Sequence, residues 1–218
     1  MGSLGAKGVA TVAIAAAIGG WLAAQTSRGA SAHEPRFPQL TLDQLTPAQR
    51  PLGEKIVKIS SVGLAGPYNP MIRSPEMAQR MYDLLDYLRW HTSVPTRLNE
   101  FAILIQGRLW RSQVEWYAHY PLAIRAGLSE AVAADLKANR RPAAMKPDEA
   151  AVYDFCMELS TQRAVSDQTF ARAKDVLGEQ GVVDLTALTG TYVTVAMLLS
   201  MAEEGVPPGK EPPFKPGD

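Results

Sequence analysis

Residues Arg97 to Leu128 read RLNEFAILIQGRLWRSQVEWYAHYPLAIRAGL. Leu98, Phe101, Ala102, Ile105 and Leu109 recur at helical spacing and mark a core-facing stripe on a first helix. Glu100 sits among them. The helix breaks near Arg111, and Ser112 opens a second one with Glu115 three residues on. That is the capping-box spacing, in which the serine oxygen takes a free backbone N–H and the glutamate reaches back for another. His119 follows Glu115 by four residues, so the two share a helix face. Gly127 supplies a C-cap. Three groups that handle protons (Glu100, Glu115 and His119) therefore stand on adjacent helices, and any chemistry is expected there.

Working outward, residues 42–60 have helical spacing with Pro47 near a helix start, and residues 61–75 read as a long loop, a surface connection by its composition, from which Tyr68 and Asn69 can alternatively line a pocket. Pro75 begins a helix after the Ser74 cap, with Met77, Met81, Leu84, Leu85 and Leu88 as its expected buried stripe. Further helices are expected over 130–139, from Pro147 past Leu159, from Ser166 to Gly178, and over 180–203. The tail from Val206 to Asp218 is rich in proline and glycine and is expected to be loose. No stretch alternates as a strand and nothing repeats at fixed period, so the class is all-α, with about seven helices.

The chain has 218 residues with 22 basic and 22 acidic side chains. It lacks a basic patch interleaved with aromatics, which argues against a nucleic-acid partner. A single cysteine, Cys156, excludes a dithiol pair within one chain. Three scattered histidines argue against a protein-only zinc site; no metal and no cofactor is expected. Residues 1–32 read as a Sec-type signal peptide: Lys7, then an apolar run from Val9 to Ala24, then Ala30-Ser31-Ala32 as the cleavage pattern. Cleavage after Ala32 removes Lys7 and Arg28, leaving 20 basic and 22 acidic residues. The expected location is periplasmic or secreted, with no membrane contact after cleavage; an uncleaved N-terminal anchor is the alternative. The remaining layout is an extension over 33–74, a domain over 75–205 and a tail over 206–218.

The central pair resembles the carboxymuconolactone decarboxylase-like, or alkylhydroperoxidase D-like (AhpD-like), family. The matching residues are Arg97-Leu98-x-Glu100, Glu115-Trp116-x-x-His119, Leu122-Ala123 and Ala126-Gly127-Leu128-Ser129, with Leu188-Thr189-Gly190-x-Tyr192 and Ala196-Met197-Leu198-Leu199 later. The resemblance covers roughly residues 75–205. It implies an all-helical domain that assembles through helices, as a trimer or hexamer, and acts on a small molecule. Hydroperoxidase members carry a Cys-x-x-Cys before the histidine and a relay glutamate on the preceding helix. Here the two cysteine positions hold Ser112 and Glu115, while Glu100 and His119 match the relay pair. Peroxide reduction by that route needs an attacking thiolate and a resolving thiol, which a serine and a carboxylate do not provide. The decarboxylase branch needs no cysteine. Under that resemblance Glu100, His119, Glu115 and Ser112 form the catalytic set. Arg97, Arg108 or Arg111 would bind substrate carboxylates, and Trp116 and Tyr120 would wall an apolar pocket.

Each residue also has a structural reading. Ser112 and Glu115 can serve only as a cap, and His119 as a core histidine bonded to Glu100 or Glu115. Arg108 and Arg111 can be solvated or pair across a subunit interface. Cys156 can be a small buried hydrophobe, and Thr189 and Tyr192 helix packing. Three functions remain in play: acid–base catalysis on a carboxylated or lactone substrate, a peroxidase-like oxidoreductase, and a non-catalytic exported oligomer that binds a small ligand.

Overall fold

The computed structural model of the protein describes residues 34–60 and 62–215. The expected signal segment lies outside them. Eight α-helices and no strand are present among the described residues: α1 Arg50–Ile59, α2 Tyr68–Met71, α3 Pro75–Asp86, α4 Thr96–Leu109, α5 Gln113–Arg125, α6 Glu130–Lys137, α7 Pro147–Met157 and α8 Asp167–Ala202.

The architecture is built on α4. The sequence marks a stripe on it, but every residue from Leu98 to Arg108 is buried. A helix that is buried all round needs partners on every side, and α5, α7 and α8 supply them. Phe101, Ile103, Leu104 and Ile105 are almost fully excluded from solvent, each worth about 1.5–3 kcal/mol of apolar burial. The polar residues of α4 are matched one by one. Asn99 Nδ2 donates to Leu88 O at 2.7 Å, Gln106 Nε2 to Ser160 Oγ at 3.1 Å, and Arg108 Nε to Lys137 O at 2.9 Å. Glu100 faces α5.

The α4–α5 turn is the Schellman geometry on a non-glycine residue. Arg111 takes φ 51°, its N–H donates to Arg108 O, and Ser112 N–H donates to Gly107 O at 2.8 Å. An arginine in that left-handed well costs roughly 1 kcal/mol relative to glycine, so the reversal is held by the packing of its flanking helices. Gly107 sits where α4 passes close to Glu115 and Trp116.

α3 continues into a π-helical turn, Tyr87–His91. Asp184 on α8 pins the chain that follows, accepting from Thr92 Oγ1 at 2.7 Å and from Tyr87 Oη at 3.2 Å. Of the stripe expected on α3, Met81 and Leu88 are buried, but Met77 and Leu84 are exposed and flank a groove against Thr191 and Thr194 of α8. α8 is broken where expected, at Gly178, whose φ of 70° and ψ of 177° suit only glycine. Its apolar window is long enough to cross a membrane, yet 56% of that window is buried in the fold.

Two expectations are corrected. The loop over 61–75 contains α2, and Asn69 within it is no pocket residue: its Nδ2 donates to Phe37 O at 2.9 Å and Glu204 Oε1 at 2.6 Å. These bonds, with Arg36 N–H to Ala202 O, fasten the N-terminal extension to the end of α8. The tail is not loose over its described residues, 206–215, either. Phe214 is 2% exposed, its N–H and C=O both pair with the Gln113 side-chain amide, and its ring meets Trp116 edge-on at 5.3 Å. One aromatic anchor outweighs the composition around it.

Candidate active site

Glu100 projects from α4 and His119 from α5, and His119 Nδ1 lies 2.7 Å from Glu100 Oε2. Both are buried. Burial pushes the Glu100 carboxyl up, but the hydrogen bond from His119 and the Arg89 guanidinium outweigh it and hold the group below the ordinary range. Burial drives the His119 imidazole down, aided by Arg89 and opposed by Glu100. At neutral pH the pair is therefore an ionised carboxylate and a neutral imidazole. A carboxylate only accepts, so Nδ1 carries the proton and Nε2 keeps its lone pair.

Glu115 stands one turn before His119 on α5. It does not close a capping box. Ser112 makes no side-chain cap bond, and Ser112 Oγ and both Glu115 carboxyl oxygens are buried without a hydrogen bond of ordinary geometry. True serine caps occur elsewhere, at Ser129 and Ser166. Burial pushes the Glu115 carboxyl up to about 8, with the neighbouring Ser112 opposing. At neutral pH it is a neutral acid. A buried polar group without a partner costs roughly 1–3 kcal/mol. Ser112 and Glu115 carry two such groups close together at the start of α5.

Tyr192 of α8 closes one side, its ring edge-on to His119 with centroids 5.1 Å apart. Burial raises the phenols of Tyr192 and Tyr68. Arg89, in the π-helical turn, reaches Glu100 Oε1 at 3.4 Å. The sequence reading missed Arg89 and set Tyr192 aside as packing. Neither has a local signal: Arg89 follows the last residue of the expected stripe, Leu88, and only the π turn that ends α3 brings it to Glu100.

The other candidates stand elsewhere. Arg97 binds Asp148 at 2.6 Å and Glu149. Arg108, beyond its bond to Lys137 O, lies over the Phe214 ring at 5.3 Å. Arg111 is exposed and touches the tail at Lys215 O. None of the three belongs to the Glu100–His119 cluster. Trp116 is core, between Phe214 and Tyr120, and Tyr120 is exposed. Cys156 is fully buried on α7 against Thr189 Oγ1 at 3.6 Å, and burial pushes its thiol up to about 12. Among the described residues no three His, Cys, Asp or Glu side chains converge as a metal site.

A solved chain from Ralstonia eutropha JMP134, described as an alkylhydroperoxidase AhpD core and an uncharacterized peroxidase-related protein, superposes on this one with a TM-score of 0.67. The alignment covers 79% of this chain and 92% of that chain. The fold is AhpD-like. Sequence identity is 14%, so the likeness concerns architecture. No protein-family profile matches the chain, and no curated protein does. Within the AhpD-like fold, then, this chain presents a buried carboxylate–imidazole pair and a neutral acid, with its one thiol on a different helix.

Proposed function

We propose that the site carries out general acid–base chemistry on a small carboxylated or lactone substrate, of the decarboxylation class. The observation that carries this reading is Glu115: a buried, unpartnered, protonated carboxyl one helical turn from a histidine whose Nε2 lone pair is left open by the Nδ1–Glu100 bond. In such a reaction the C–C bond to the carboxylate breaks and CO₂ leaves. The electron pair moves onto the conjugated carbonyl as an enolate, and a proton returns to carbon. Glu115 hydrogen-bonds the developing enolate and delivers its proton to the carbon that has lost CO₂, and Ser112 orients the substrate. His119 Nε2 then takes a proton from water and passes it back to the Glu115 carboxylate, with Glu100 steadying the transient imidazolium.

The test is CO₂ release from unsaturated lactone carboxylates and β-keto acids. His119→Ala and Glu100→Gln should each abolish turnover in a folded chain. Full activity in both variants, or no release by the wild type from either class, refutes the reading.

The solved neighbour is described as peroxidase-related, which supports an oxidoreductase as the second reading. It would have to run through Cys156, and a fully buried thiol pushed up to about 12 is a poor nucleophile. The non-catalytic reading, a carrier of a small ligand, predicts ligand affinity that survives His119→Ala. With the acid–base reading goes export through the segment over 1–32 and assembly as a trimer or hexamer. The exposed Met77, Leu84, Met197 and Met201 support assembly, being more apolar surface than one chain covers.

A further inference from the structure

Among the described residues Arg89 is the one cation in contact with the Glu100–His119 pair, and it is only partly used. Its Nη2 reaches Glu100 Oε1 at 3.4 Å, long for a charge-assisted bond, because Glu100 is committed to His119 at 2.7 Å. Its Nε–H is buried and has no partner. The side chain is held in place all the same. The guanidinium stacks over the Trp90 ring at 4.6 Å, and Asn99 of α4 grips the π turn at Leu88 O. A desolvated guanidinium donor that is fixed and left unpaired is the kind of vacancy a ligand anion fills. Through Glu100 the guanidinium is joined to His119, against which the Tyr192 ring stands edge-on at 5.1 Å and from which Glu115 lies one helical turn away. Arg97 and Arg108, the other buried or half-buried arginines of this region, already have their acceptors.

We infer that Arg89 is the anion-binding residue of this site and that the ligand is a small monocarboxylate, one oxygen on the Arg89 Nε–H and the reacting carbon toward Glu115 and His119. A monoanion is favoured because one guanidinium faces the fixed charge of Glu100. A phosphate dianion would set two further negative charges beside that carboxylate. The inference deepens the acid–base reading and rests on it for the position of the reacting carbon, but binding is tested without turnover.

The test follows the His119 ring resonances by NMR while acetate, pyruvate or benzoate is added. Acetamide and benzamide serve as neutral controls, and inorganic phosphate as the dianion. At least one carboxylate should shift the His119 signals saturably while the amides do not, and Arg89→Gln should weaken binding by about tenfold or more. Arg89→Lys keeps the charge without the planar fork and should fall between the two, which decides the matter if the glutamine variant does not fold. Equal binding in all folded chains, no response to any carboxylate, or tighter binding of phosphate overturns the inference. Intact Arg89-dependent binding with no turnover of any substrate would sink the acid–base function alone.

Discussion

His119 Nδ1 and Glu100 Oε2 stand 2.7 Å apart across the α4–α5 pair, while the buried carboxyl of Glu115, on the same face as His119, makes no hydrogen bond of ordinary geometry. Two carboxyls one helix apart are thereby held in opposite states. Glu100 is ionised because His119 and Arg89 outweigh its burial, and Glu115 is protonated because burial outweighs the neighbouring Ser112.

That contrast has a cost in stability with a definite sign. The Glu115 carboxyl is raised from 4.5 to about 8 in the folded chain. Below pH 4.5 both folded and unfolded chains hold the proton; between 4.5 and 8 only the folded chain does, so stability falls as pH rises through that window. Glu115→Gln removes the titration. In urea unfolding it should gain about 2–4 kcal/mol over wild type at pH 8 and little near pH 4.5. The same variant should lose turnover, and wild-type turnover should decline as pH rises past about 8. A wild type as stable as Glu115→Gln at pH 8 would show that the carboxyl is not protonated in the fold.

His119 contributes in the other direction. Its folded value is depressed below 6.5, so its contribution is present above that pH and is lost as pH falls through the folded value. His119→Gln should flatten the acid limb of the stability profile while leaving the alkaline limb to Glu115.

Cys156 should be silent. Buried against Thr189 and pushed up to about 12, it should resist a thiol reagent in the native chain and react once the chain is unfolded. Cys156→Ser should leave any turnover unchanged. Loss of peroxide consumption in that variant would revive the oxidoreductase reading.

Arg97 is structural. It binds Asp148 and the buried Glu149, whose other oxygen accepts from Lys146 N–H at 2.8 Å to start α7. Arg97→Ala leaves Glu149 unpaired and should cost about 3 kcal/mol in unfolding, with no change in carboxylate binding. Loss of binding at unchanged stability would return Arg97 to the site.

Phe214 ties the tail to α5. Phe214→Ala should cost about 2–4 kcal/mol and speed amide exchange over 206–215. Unchanged exchange there would mean the ring holds nothing in place.

The helices around Arg97–Leu128 were legible because periodicity, Ser112 and Gly127 report local backbone preferences, and Glu100 and His119 were legible as candidates on adjacent helices because the resemblance pairs those positions; that they touch follows only from the packing of α4 on α5. The rest was set by distant packing. Ser112 and Glu115 have the spacing of a capping box, but Ser112 N–H is already used to end α4, and both side chains are turned into the interior. The three arginines near the stretch in sequence found partners in α6, α7 and the tail, while Arg89 reached Glu100 through a bend that no local pattern announces. The tail misled for a similar reason: composition averages over residues, and Phe214 acts alone.

The most direct test of the relay is the titration of the His119 ring nitrogens by NMR in wild type and in Glu100→Gln. The expected result is a neutral ring at pH 7 with the proton on Nδ1, a midpoint below 6.5, and a further downward shift when the Glu100 charge is removed. A midpoint at or above 6.5 that Glu100→Gln leaves unmoved would contradict it, and the site would hold no acid–base pair.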